Sequence, residues 1–534
     1  MAQMPARAHH LRRVPGVLKK PESLQPDASG NLEAARSEAT AEGIGGAHGT
    51  IARNAFYLAL GQAMTTALAI VFSAALGRTL GASDFGLYFL ISSFSAFAYV
   101  PVDWGQQTYV IREVARHPER GSLLLGTTLV LRTAGAALVT VPSGLAAWAL
   151  GYDAITCWYT VVFIAVSLPF FLAQSYGMVF RARDQMGLDA GVSVANKIAL
   201  IGIALGALAL GRGLPGVMAA QALAGFIALA VATYLYRRVT TGSLRYSPRV
   251  AREILVGGTV FFSSSVLSSI QPYIDVVILS KLAPSDAIGW YGAAKNIMGT
   301  MIAPAVILGA ASFPHLVRSA AHRGPFKAHV RAALRPILWL GALAAIGTFL
   351  FADDAIAIVY GQRQFAPSGI ILKVYAPGFL LLFMNVLFVY ALVALGRAKA
   401  AAVVKMANLV VCVALELVLI PIFQRHAGNG GIGVVAAFVA SEFVVLGGAI
   451  FLLRQEGFGL DISVDIARAL GSAALTLLLF WLIPPLPFLI GVPVCVIAFS
   501  LCSIGLGLVR RSDVELFRAM LRKERSAPNT STML

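Results

Sequence analysis

Eight ionisable side chains stand inside long apolar stretches of this chain: Asp103, Arg132, Lys197, Asp275, Lys295, Lys373, Glu416 and Glu442. A charge at the centre of a membrane-spanning helix costs about 2.5 to 3.5 kcal/mol on insertion scales, so each of these needs a cavity, a partner or a task. Arg132 lies deepest, about 15 Å into its stretch at 1.5 Å per residue, too far for its side chain to reach the interface with ease. Its forked guanidinium suits phosphate or carboxylate oxygens, and a structural pair with Asp103 is the alternative. Lys197, Lys295 and Lys373 sit about seven residues from a stretch end, where a lysine either lines a cavity for an anionic ligand or reaches to lipid headgroups. Asp275 and Lys295 fall at similar depth on consecutive stretches, which makes them ion-pair partners, structural or breakable. Glu416 and Glu442 are candidates for a proton or cation relay, with an acid hydrogen-bonded between helices as the plainer role.

The elements that must hold these residues are membrane helices. Of 534 residues, 58% are hydrophobic and 13% charged, against about 45 to 50% and about 25% in soluble domains, and the mean hydropathy is +0.78. From residue 50 onward, apolar stretches of roughly 18 to 25 residues recur, each able to cross a hydrocarbon layer about 30 Å thick as a helix. The pattern predicts an all-α, polytopic membrane protein with about fourteen transmembrane helices. The expected organisation is a disordered cytosolic tail over 1–50, a six-helix bundle over 51–240, a cytosolic linker over 241–253, a second six-helix bundle over 254–455, a C-terminal helix pair over 456–510 and a cytosolic tail over 511–534.

The net charge of +17 has a topological origin. Lys and Arg crowd into alternate connections, at 112–120, 181–183, 237–252, 318–335 and 397–405, whereas the others hold only Arg78, Arg212, Lys281, Arg363 and Arg425. Cationic loops resist translocation, so the basic set and both termini are expected in the cytoplasm, and nucleic acid is excluded as a partner. Cys157, Cys412, Cys495 and Cys502 all lie in apolar stretches without ligand spacing, and the histidines form no metal-binding pattern, so no metal is expected.

An internal repeat is present. Leu80 to Tyr88 (LGASDFGLY) resembles Leu282 to Tyr291 (LAPSDAIGWY), allowing one inserted residue, and Gly216 to Ala220 (GVMAA) matches Gly433 to Ala437 (GVVAA). Val194 to Asn196 matches Lys405 to Asn408 in part, in the same order. Six helices separate the copies, and six is even, so the two bundles share one orientation and are expected to be related by an axis along the membrane normal.

These residues also carry a family resemblance. Asn54 to Tyr88, with Gly61-Gln62, Leu80-Gly81 and Phe85 to Tyr88, resembles the opening of the polysaccharide-export flippases of the multidrug/oligosaccharidyl-lipid/polysaccharide superfamily. Ile274-Asp275 with Gly289 to Tyr291, Tyr360-Gly361 with Phe365-Ala366, Ala394 to Arg397, and Leu419 to Pro421 with Gly431 to Gly433 follow that family's pattern in its order. The resemblance implies a carrier rather than an enzyme, without cofactors. Its cargo would be polyprenyl-diphosphate-linked oligosaccharide, moved across the bacterial cytoplasmic membrane by alternating access for polysaccharide biosynthesis and export. On that basis Arg132, Lys197, Lys295 and Lys373 are expected to meet the substrate, and Asp103, Asp275, Glu416 and Glu442 to couple or gate transport. The implied partners are the lipid-linked glycan, membrane lipids, a glycan polymerase and glycosyltransferases. The family often has twelve helices. The extra C-terminal pair resembles the lipid II flippases, in which added helices accompany a lipid-tail groove.

Three rivals stand against this reading, of which a purely structural membrane scaffold has no use for the buried charges. A multidrug exporter of the same superfamily should carry acids in its cavity for cationic drugs, and the four basic residues in the spans oppose it. A membrane glycan polymerase or ligase needs a large outer loop, whereas every outer connection here is short.

Overall fold

Backbone groups in hydrocarbon have no water to bond, so each crossing segment must satisfy its own amides by coiling. The computed structural model describes residues 28–240, 242–456 and 460–509, and all their regular structure is helical. In order come α1 (Ala28–Asp103), α2 (Gln106–Arg116), α3 (Gly121–Ala149), α4 (Ala154–Ala182), α5 (Met186–Ala209), α6 (Gly213–Val239), α7 (Pro248–Leu282), α8 (Ser285–Ser319), α9 (Arg323–Tyr360), α10 (Gln362–Ala394), α11 (Ala398–Ala427), α12 (Gly430–Leu453), α13 (Leu460–Leu482) and α14 (Phe488–Gly505). Residues 1–55 and 56–534 are separate units, and the crossing helices belong to the second. Where an irregular tail is expected over 1–50, helix begins at Ala28. Residues 1–27 and the expected tail at 511–534 lie outside the described residues.

Among the described residues, twelve stretches are long and apolar enough to cross a membrane. The first of these, Leu60–Asp103, is 44 residues long and holds two legs, because Gly81 breaks α1 with φ 78° and ψ 176°, a conformation only glycine adopts without strain. A further leg is α7, whose 35 residues are long enough to cross. The legs match the fourteen expected crossings one for one. Their outward faces stay apolar: Leu138 is 74% exposed and Trp148 70% exposed, as lipid rather than water requires.

Within the second unit, residues 56–103 of α1 and helices α3–α6 make one half, α8–α12 the other. Helix α7 packs on α11 and α12 of the second half, while its contacts with α2 and α3 tie it to the first. Ser247 starts α7 by accepting from the Val250 amide, with Pro248 at the first helical position. Helices α13 and α14 lie against α9. Their anchor is Asp465, fully buried between Arg331 at 2.8 Å, Arg335 at 3.4 Å and Arg468 at 3.3 Å.

The two repeat copies touch. Gly86 and Gly289 hold matching places in the copies. A Cβ on Gly86 would overlap the Ser285 carbonyl and the Gly289 nitrogen, and a Cβ on Gly289 would overlap the Ala82 carbonyl. Each glycine therefore lies on the carbonyl of the residue four before its counterpart, which places the pseudo-two-fold relation at this contact.

Candidate functional site

The halves close on each other at the end of the molecule away from the basic connections. The chain around the Gly81 break sits on the turn between α9 and α10. There the Arg78 guanidinium donates to the Val359 carbonyl at 2.9 Å and to that of Ile358, capping the C-terminal end of α9, where a cation is favoured. The Ala82 amide donates to Gln364 Oε1 at 3.2 Å, and Trp290 Nε1 donates to the Gln364 carbonyl at 2.8 Å. Beneath them Phe85, Tyr360 and Phe365 pack ring on ring, with centroids 5.1 to 5.7 Å apart, all nearly fully buried.

Deeper in, the two halves part around a polar cavity of about 290 Å3. Gln62, Thr65 and Thr66 of α1 line one wall, Asn296 and Thr300 of α8 the other, and Lys197 of α5 supplies the charge. The polar residues of α1 recur at three-, four- and seven-residue spacing, which gathers them on one face of an otherwise apolar helix. That spacing is the signal by which Gln62, Thr65, Thr66 and Ser73 were findable in the sequence.

A second polar cluster lies between α7 and the second half. Asp275 of α7 forms an ion pair with Lys295 Nζ at 3.6 Å and accepts a hydrogen bond from the Tyr291 hydroxyl at 3.2 Å, so the expected ion pair is formed. Cys412 donates to Glu416 Oε1 at 3.6 Å. Ligand atoms of Asp275, Cys412 and Glu416 lie within 4.8 Å of one another, and Asp275 Oδ1 and Glu416 Oε2 are buried without hydrogen-bond partners. Two carboxyls this close, facing one lysine, have a place for one further positive charge. Alongside, Asn408 bridges Gln271 and Ser441, and Glu442 accepts from Asn385 Nδ2 at 2.6 Å.

The remaining expected residues are elsewhere. Arg132 is 1% exposed and does not line the cavity. Its two terminal nitrogens donate to Asp103, to the Phe171 carbonyl at 3.0 Å and to Ser175 at 3.1 Å, with the Phe171 ring centroid 4.0 Å away. The structural alternative for Arg132 is thus the arrangement found. Lys373 of α10 pairs with Asp353 of α9, also apart from the cavity. Glu442 and Glu416 are both buried, on α12 and α11, and neither lines the cavity. Asp353, Asn385 and Cys412 had no distinguishing spacing in the sequence.

Comparison with known proteins supplies the context. A family model described as polysaccharide biosynthesis protein matches residues 51–320. A candidate O-antigen transporter of Shigella flexneri is 25% identical over 379 residues, spanning 68% of this chain and 90% of that protein. Among solved structures, the lipid II flippase MurJ in an inward closed conformation aligns with a TM-score of 0.67 at 13% identity, covering 84% of this chain and 97% of the other. An inward-facing multidrug resistance transporter of the MATE family, within the MOP superfamily, aligns at 0.59 and 15% identity, covering 74% and 94%. These likenesses establish the shared two-bundle helical fold, and the matched residues, half of the sequence, establish that the chain belongs to the polysaccharide biosynthesis protein family.

Proposed function

We propose that this protein is a flippase that carries polyprenyl-diphosphate-linked oligosaccharide across the bacterial cytoplasmic membrane by alternating access. The observation that carries the reading is the polar cavity between the halves, closed at one end and holding Lys197. Behind it, across α8, lies an apolar cleft of about 350 Å3 between α8, α9, α10 and α14. Consecutive residues of α8 divide the two: Asn296 lines the polar cavity, and Ile297 the apolar cleft. A cargo with a phosphorylated sugar head and a long hydrocarbon chain matches both environments. Lysine neutralises a desolvated phosphate as a point charge, and the amides and hydroxyls around it bond sugar oxygens.

With the basic connections in the cytoplasm, the seal stands at the periplasmic face and the cavity loads from the inner leaflet. The cluster of Asp275, Lys295 and Glu416 is the coupling site, taking up a proton or a small cation as the halves move. Glycosyltransferases that build the cargo and a polymerase that consumes it are the enzymes expected on the two sides. The same superfamily's drug-exporter chemistry asks for acid in the central cavity, whereas the ionisable residue among its described lining is Lys197.

The test is translocation of undecaprenyl-diphosphate-linked oligosaccharide in vesicles holding equal amounts of folded protein. Lys197→Gln should lower the rate at least tenfold, and Lys197→Arg should keep part of it because the charge remains. Parent-level translocation by Lys197→Gln, or export of a cationic dye in place of the glycolipid, overturns the reading.

A further inference from the structure

The cavity and the seal share a side chain. Asn296 lines the cavity and donates Nδ2–H to Ser73 Oγ at 2.8 Å. Ser73 in turn is hydrogen-bonded to the Tyr360 hydroxyl at 2.6 Å. Ser73 and Tyr360 are 6% and 3% exposed, so no water stands in for a lost partner, and a broken bond here is felt in full.

Tyr360 is the middle of the seal. Its ring packs on Phe85 and Phe365 and fits the space that Gly77 leaves, where a Cβ would come within 2.6 Å of its Cδ1. The next residues back along α9, Val359 and Ile358, are the ones whose carbonyls Arg78 holds. The line therefore runs from cavity wall to outer closure, and each of its bonds crosses from one half to the other or anchors a residue that does. Ser73 belongs to the first half, Asn296 and Tyr360 to the second.

We infer that the Asn296–Ser73–Tyr360 line transmits cavity occupancy to the outer seal: a phosphate or sugar oxygen that captures the Asn296 amide withdraws it from Ser73, loosens Tyr360 and releases the halves at their closed end. A ligand shifts a two-state equilibrium only through contacts that differ between the states, and Asn296 provides one such contact. With the line intact the empty protein stays shut outward. Asn296 is a positioning residue, and the inference rests on the reading of the cavity as the cargo site.

The experiment measures the gap at the seal by spin labels on Asp84→Cys and Arg363→Cys, two exposed positions on opposite halves, in vesicles, with the signal of the parent chain's own cysteines subtracted. Tyr360→Phe keeps the ring and removes only the hydroxyl, and Ser73→Ala removes the relay. Both should raise the wide-gap population about two- to tenfold without ligand, the change that loss of one buried hydrogen bond gives. Undecaprenyl diphosphate should widen the gap in the parent chain and have no further effect in Asn296→Ala. Distances in Tyr360→Phe and Ser73→Ala that match the parent overturn the inference, as does an Asn296→Ala response equal to the parent's. A parent chain indifferent to undecaprenyl diphosphate instead removes the cargo reading, and the line is then judged on Tyr360→Phe alone.

Discussion

Arg132 shows what a deep charge does when it has a partner. Depth alone marks it as costly, and the structure meets that cost with Asp103, a backbone carbonyl, a serine and an aromatic face. Removing one member strands the other. Arg132→Gln should destabilise the fold by about 2 to 3 kcal/mol, below the 3 to 5 typical of fully buried pairs, because Asp103 retains 29% side-chain exposure. Adding Asp103→Asn should restore more than half of the lost folded yield, measured by detergent-solubilised monodisperse protein in a double-mutant cycle. A single Arg132→Gln variant that folds as well as the parent but fails to translocate would return this residue to the cargo. Depth along a helix can be counted from the sequence, and it found Arg132, the Asp275–Lys295 pair and Lys197. Rotation about the helix axis cannot be counted so surely, and rotation decides that Lys197 faces the cavity while Lys373 turns to Asp353.

Among the elements, the fourteen legs were legible because lipid imposes a length and a composition that little else mimics. The attachment of α13 and α14 was not, since their partner α9 lies a hundred residues earlier. Asp465 makes that attachment, with three guanidinium groups around a carboxylate that no solvent reaches. Asp465→Ala should remove the carboxylate that ties Arg331 and Arg335 to α13 and weaken the docking of the pair by about 3 kcal/mol. Faster proteolytic cleavage between α12 and α13, with the preceding bundle intact, is the expected reading. Arg331→Lys should do less harm, because it keeps the charge while losing the fork.

At the scale of the whole molecule, the proposed orientation rests on the basic connections, and it would fix which leaflet the cavity serves. Ser243→Cys, beside the exposed Arg245 in the connection to α7, should resist an impermeant thiol reagent in intact cells and react once the membrane is permeabilised. Labelling without permeabilisation would invert the protein and put its seal in the cytoplasm. The repeat that predicts two parallel bundles also has a physical trace in the meeting of Gly86 with Gly289. A contact in which each copy offers the same residue to the other is the isologous contact of a symmetric dimer. In a true symmetric dimer of six-helix chains, one glycine serves both subunits, and one mutation damages both sides of the joint together. In a single polypeptide those fates are separate: Gly86 and Gly289 are encoded apart, so each side of the joint can change alone and the two halves can differ.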